Sequence, residues 1–266
     1  MHRARKRFGQ HFLVDPNVVE RIVAAIAPEG GDRIVEIGPG QGALTRPLLE
    51  RLDRLDVVEI DRDLAAALAA SFSTERLRVH LADALSFDFS VLGERLRVVG
   101  NLPYNISTPL LFHLGRQVDR IRDCHFMLQL EVVERMAAQP GSRTYGRLSV
   151  MLQYRFAVER LFRVSAAAFR PVPKVESALV RMTPLGTGVP RAKDEQLFGV
   201  LVAGAFSQRR KTLRNALSAW LTVQGIERAG VDPRARPETL NVEQFVRLAD
   251  AASAAGISLP VSRAAE

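Results

Sequence analysis

Cysteine is nearly absent from the 266-residue chain, with Cys124 standing alone in the apolar stretch CHFMLQL. A lone thiol excludes a disulfide scaffold and fits a reducing, cytoplasmic compartment, and apolar neighbours make it a packed side chain rather than a nucleophile. Long apolar runs are also missing. None reaches the roughly 18 residues of a membrane span, and no apolar segment follows the basic N-terminus as a signal peptide requires. With 18 Gly and 14 Pro the chain is neither collagen-like nor low-complexity. The five His are scattered and no Cys/His group has ligand spacing, so no catalytic metal is expected.

Positive charge is plentiful. The net charge is +8, which favours an anionic partner. Yet 33 of the 37 basic residues are Arg and 33 residues are Ala, a joint bias that a GC-rich coding sequence also produces. Location therefore carries more weight than the total. Arg3, Arg5, Lys6 and Arg7 crowd the N-terminus, and Arg209, Arg210, Lys211 and Arg214 crowd a later segment.

From about residue 16 to 183, short β-like runs alternate with helical patterns. RIVEI (33–37), DVVEI (56–60), LRVHLA (77–82), LRVVG (96–100) and HFMLQL (125–130) read as buried strands, with helical patterns at Gly42–Asp53 and Asp61–Ser71. This alternation predicts an α/β fold with a parallel, doubly wound sheet, which MLQYRFAV (151–158) and SALVRM (177–182) would extend. Gly186, Gly188 and Pro190 then punctuate the chain, and helical patterns at 194–222 and 241–254 follow. The expected division is residues 1–186 and a small all-helical domain at 187–266.

VEIGPGQG sets Gly38, Gly40 and Gly42 directly after the first of these strands, where a tight backbone turn lets a ligand approach closely. The spacing is GxGxG, without the extra residue of a pyrophosphate cradle. Glu59, 21 residues after Gly38, ends the second strand and suits a pair of ribose hydroxyls. Asp61 is better placed as a helix N-cap. Asp83, after the third strand, can accept from an adenine amino group. Together these strand ends describe an adenosine pocket. A nicotinamide-dependent dehydrogenase would want the longer glycine spacing and a second mononucleotide half.

GNLPYN (100–105) follows the fourth strand. An adenine amino nitrogen is a poor nucleophile because its lone pair is delocalised into the ring. The Asn101 side-chain oxygen and the Leu102 carbonyl can accept its two hydrogens and localise that pair. Pro103 stiffens the turn, and Tyr104 offers a stacking face for an extruded base. The bland alternative is a simple Asn/Pro turn.

VEIGPGQGALT and VVEIDRDLA resemble the first two motifs of the S-adenosylmethionine-dependent methyltransferases. More narrowly, RKRFGQHFL, GNLPYNISTPLLFHL, MLQLEVVERM, YGRLSV, FRPVPKVESA and FSQRRKTLRNAL are similar, in order and through nearly the whole chain, to the ribosomal RNA adenine dimethyltransferases. The resemblance implies a Rossmann-like class I methyltransferase sheet of seven mostly parallel strands, with a small helical C-terminal domain that helps hold RNA. It implies S-adenosylmethionine as methyl donor and two adjacent adenosines near the 3′ end of 16S rRNA, in the small (30S) subunit or its precursor, as acceptors, with a role in ribosome biogenesis. It assigns cofactor contacts to His11, Leu13, Gly38, Glu59, Asp83 and Asn101, with His11 standing where Asn is frequent. Glu36 would lie near the methionine end of the cofactor or support the glycine loop. Phe169 would sandwich the target base with Tyr104, and Arg209, Arg210 and Lys211 would reach RNA phosphates. A cytoplasmic monomer with no membrane partner completes the expectation. The related large-subunit resistance methylases and a binding-only assembly factor are the competing readings.

Overall fold

The structure is a computed structural model that describes residues 10–208 and 210–257. The described chain runs β1 (Phe12–Leu13), α1 (Pro16–Ile26), β2 (Ile34–Ile37), α2 (Thr45–Leu49), β3 (Leu55–Glu59), α3 (Arg62–Ser71), β4 (Leu77–Leu81), β5 (Leu96–Asn101), α4 (Ser107–Arg116), β6 (Ile121–Gln129), α5 (Leu130–Met136), α6 (Arg147–Gln153), β7 (Phe156–Val164), β8 (Phe169–Arg170), β9 (Ser177–Pro184), α7 (Glu195–Ser207), α8 (Leu213–Ala216), α9 (Val223–Arg228) and α10 (Val242–Ala254). It divides into two compact units. One takes in the described residues up to Glu134 with Phe156–Pro184, and the other Arg135–Arg155 with the described residues from Leu185 onward.

The first unit is a seven-stranded sheet in the order β4-β3-β2-β5-β6-β9-β7. Strands β4 to β6 are mutually parallel, and β9 runs antiparallel to both neighbours. Strands buried on both faces are largely apolar, as IVEI in β2 and LRVV in β5 are, each with one buried charged residue, Glu36 and Arg97. Helix α1 starts at Pro16 after Asp15, whose carboxylate accepts from the amides of Asn17 and Val18. Its buried stripe is Val18, Ile22, Val23 and Ile26. Arg97, buried in β5, donates to Asp123, Asp32 and the carbonyls of Ile26 and Ala27, pinning the end of α1 beneath the sheet.

Two of the expected elements differ. MLQYRFAV is not one strand: α6 occupies it through Gln153, burying Ser149, Val150 and Leu152, and the strand begins at Phe156 and runs to Val164. The pattern at Gly42–Asp53 yields only the short α2, entered through turns at left-handed glycines.

The second unit is helical. Its core gathers Tyr145, Val150, Tyr154, Phe198, Leu201, Leu213, Phe245 and Leu248. Tyr154 stacks on Phe198 with centroids 4.2 Å apart, accepts from the Ala192 amide and donates to Glu195. These contacts group residues 135–155 with the C-terminal helices, whereas the sequence patterns alone divide the chain once, near residue 186. Helix α7 stops at Ser207 and helix resumes at Leu213, so the 194–222 pattern is interrupted at the basic segment.

Candidate functional site

Parallel strands end at one sheet edge, so residues far apart in sequence meet there. The register places Glu36 beside Val57 and Val99, with Glu59 beside Leu81. Beyond the strands, the Gly38 amide donates to the Val58 carbonyl and the Ala82 amide to the Glu59 carbonyl. The edge opens into a cleft whose empty space, open mouth included, is about 1120 Å³. His11, Leu13, Gly38, Glu59, Asp83, Asn101, Leu102 and Tyr104 all line it.

Gly38, Gly40 and Gly42 have φ of +64°, +58° and +83°, left-handed values that side chains resist. A Cβ on Gly40 would also lie 3.1 Å from the Phe12 ring. The Gly40 amide donates to Glu59 Oε2 at 3.2 Å and the Asp61 amide to Oε1 at 2.9 Å. Each oxygen keeps acceptor capacity for a further donor. Burial pushes the Glu59 carboxyl above its ordinary range against the lowering effect of these amides. Asp61 caps α3, as its position suggests. Asp83 is exposed and accepts from the Leu85 amide through Oδ1.

Glu36 is 2% exposed and accepts from the Thr45 hydroxyl at 2.7 Å. Burial raises its pKa to about 7, opposed by the Thr45 bond and reinforced by the nearby Glu59 charge. The hydroxyl belongs to the first residue of α2, so this carboxyl ties the glycine loop's helix to β2.

At the end of β5, Gly100 passes so close to β2 that a Cβ there would collide with the Ile37 carbonyl. The Leu102 amide donates to the Met127 carbonyl, and the Pro103 carbonyl accepts from the Ile106 amide and the Ser107 hydroxyl. Asn101 Nδ2 donates to the His11 carbonyl at 2.9 Å. A carbonyl only accepts, so this partner fixes the amide orientation and leaves Oδ1 as the free acceptor. The Tyr104 hydroxyl pairs with Ser177 Oγ at 2.9 Å, and burial raises the phenol's pKa despite that bond. His11 Nδ1 lies 2.7 Å from the Pro171 carbonyl, which makes Nδ1 the protonated nitrogen.

Phe169 requires a correction. Expected to sandwich a base with Tyr104, it is 1% exposed and sits in the core with Leu13, Val18, Ile22 and Leu179. The cause is its pairing: β8 runs antiparallel to β1 with Leu13 opposite Phe169, so both side chains share the inward face. Arg210 and Lys211 are exposed, belong to the helical unit and do not line the cleft, while Arg209 and the N-terminal Arg3, Arg5, Lys6 and Arg7 lie outside the described residues. The sequence reading missed Phe12, Ile60, Thr45 and Ser177. The first two are apolar residues beside motif positions, and only contacts distinguish them from ordinary packing.

A family model described as ribosomal RNA adenine dimethylase matches residues 1–253. A protein of Aromatoleum aromaticum named ribosomal RNA small subunit methyltransferase A is 60% identical over 93% of this chain and 93% of its own length. Among solved structures, a dimethyladenosine transferase from Plasmodium falciparum shares the fold with a TM-score of 0.77 at 24% identity, covering 90% of this chain and 96% of that one. The 23S rRNA methyltransferase ErmE gives 0.72 at 26% identity, covering 91% and 99%.

Proposed function

Because the chain belongs to the ribosomal RNA adenine dimethylase family, we propose that it dimethylates the exocyclic amino groups of two adjacent adenosines near the 3′ end of 16S rRNA, in the small (30S) subunit or its precursor. S-adenosylmethionine is the methyl donor in this reading, and the cleft's chemistry fits it. The glycine loop, whose left-handed backbone disfavours side chains, gives close approach, the Glu59 carboxylate has acceptor capacity for a ribose diol, and Asp83 can take an adenine amino group. His11 and Leu13 close the same cleft. When bound, this donor supplies an electrophilic methyl group on a sulfonium.

The chain's own residues act on the acceptor. Asn101 Oδ1 and the Leu102 carbonyl accept the two amino hydrogens and draw the nitrogen lone pair out of conjugation. Tyr104 stacks on the extruded base, held in place by Ser177. Both acceptors are carbonyl oxygens on a cleft wall, so a nitrogen that already bears one methyl group still finds one of them for its remaining hydrogen. Alignment supplies most of the acceleration, and no general base matched to neutral pH is required. Arg210 and Lys211 of the helical unit, with Arg209 and the basic N-terminus, contribute phosphate contacts. In the same reading the protein works as a cytoplasmic monomer and contributes to small-subunit biogenesis.

The observation that most supports the proposal is the Asn101 side-chain amide donating to the His11 carbonyl, which leaves Oδ1 as the acceptor that the reading requires. The test supplies labelled S-adenosylmethionine and unmethylated small subunits, then digests the RNA to nucleosides. Label in N6,N6-dimethyladenosine of 16S rRNA supports the reading. Label in large-subunit RNA instead, or tight binding without label, refutes it in favour of a resistance-type methylase or an assembly factor.

A further inference from the structure

The imidazole of His11 lies against the ring of Tyr104, with centroids 5.5 Å apart and planes inclined by 27°. Its Nδ1–H is held by the Pro171 carbonyl at 2.7 Å. The main chain that follows it is held twice: the His11 carbonyl takes the Asn101 amide, and Phe12 pairs with Arg170 in the short β1–β8 ladder. A flat heteroaromatic ring with an N–H donor thus occupies a stacking face of the residue that offers itself to the target base. The ring is only partly buried, so a χ rotation takes it into solvent while the carbonyl stays where it is.

We propose that His11 is a placeholder for the acceptor base: its imidazole covers the Tyr104 face in the free enzyme, and the target adenine takes that face by displacing it. This rests on the acceptor-site reading above. The two parts of His11 then do different work. The backbone carbonyl keeps Asn101 Oδ1 turned towards the incoming amino group in both states, and the side chain sets a threshold that the base must exceed. A purine replaces the stacked imidazole with a larger ring surface, whereas a pyrimidine gains little over what it removes. His11 is in this way a specificity-determining residue for the reaction.

The test uses the full-length protein saturated with S-adenosylhomocysteine, so that adenosine monophosphate added as probe meets only the acceptor site. Proteins carrying labelled histidine give ring-proton signals, and His11→Ala assigns those of residue 11 by their loss while keeping the carbonyl that Asn101 needs. In the free state the His11 signals are shifted upfield by the Tyr104 ring current, and saturating adenosine monophosphate returns them towards solvent-exposed values. Removing a competitor worth one aromatic stack makes His11→Ala bind the probe roughly 2- to 10-fold more tightly, and His11→Phe, a better stacker, binds it more weakly. His11 signals that stay in place up to saturating probe overturn the proposal. So does a His11→Ala protein that binds no more tightly than wild type. Label transfer to small subunits, measured separately, distinguishes this failure from that of the functional reading. Transfer with an unmoved His11 defeats only the placeholder, and displacement without transfer defeats only the rRNA activity.

Discussion

Replacing Asn101 by Ala removes two things at once: the Oδ1 acceptor and the Nδ2–H bond to the His11 carbonyl. The first acts in the transition state, where the amino nitrogen develops positive charge and its hydrogens bind an acceptor more strongly. By analogy with deleting one preorganised donor from an oxyanion hole, the loss is about 10²–10³ in the transfer rate. The second acts on stability. One net hydrogen bond at a half-buried position is worth about 1 kcal/mol, or about 2–4 °C in Tm for a domain of this size. The two effects are therefore separable: Asn101→Ala stays folded at assay temperature, while single-turnover methyl transfer to unmethylated small subunits collapses even at S-adenosylmethionine concentrations that saturate the variant. Asn101→Asp refines the comparison, since a carboxylate accepts but cannot donate to the His11 carbonyl, and its rate falls between the two. A single-turnover rate for Asn101→Ala within about threefold of wild type would refute the assignment of Oδ1 as an essential acceptor.

Three further perturbations follow from the same geometry. Glu36, raised from 4.5 to about 7 by burial, binds a proton in the folded state that it releases when unfolded. Its stabilising contribution is complete below about pH 4.5 and is lost as pH rises through 7, by roughly 3 kcal/mol at full titration, so Glu36→Gln flattens the denaturant-derived stability between pH 5 and 8; an unchanged pH slope counts against a neutralised carboxyl. Gly100→Ala drives a Cβ into the Ile37 carbonyl, a backbone atom that cannot turn aside, and costs about 1–3 kcal/mol by urea unfolding, with a change under 0.5 kcal/mol as the contrary result. Arg210→Glu with Lys211→Glu weakens small-subunit binding and lowers the steepness of its salt dependence by about one unit for each phosphate no longer neutralised, and a salt slope equal to wild type removes these residues from the interface.

The site was legible where chemistry and strand ends coincide. Gly38, Glu59, Asp83 and Asn101 each lie at or just beyond the end of a strand, and parallel strands bring such ends to one edge whatever their separation in sequence. Long-range pairing was not legible. Nothing local to FRPVP shows that Phe169 will sit opposite Leu13, yet that pairing turns its ring into the core. The insertion of β9 between β6 and β7 is likewise a choice among sheet orders that periodicity leaves open. MLQYRFAV failed for a different reason: a short apolar run suits helix and strand equally, and packing of Val150 and Tyr154 into the helical core decided it. The same packing moves residues 135–155 out of the sheet's unit. The contact between His11 and Tyr104 joins two recognisable motifs, but only coordinates show that they touch.

The most direct trial of the central claim is positional. Wild-type protein, S-adenosylmethionine and unmethylated small subunits are combined, and the RNA is then read by reverse transcription, which two methyl groups on one adenine amino nitrogen block by abolishing Watson–Crick pairing. New stops are expected at two adjacent adenosines near the 3′ end of 16S rRNA, absent when the Asn101→Ala protein replaces wild type. Stops elsewhere, or the same stops from the Asn101→Ala protein, would contradict it.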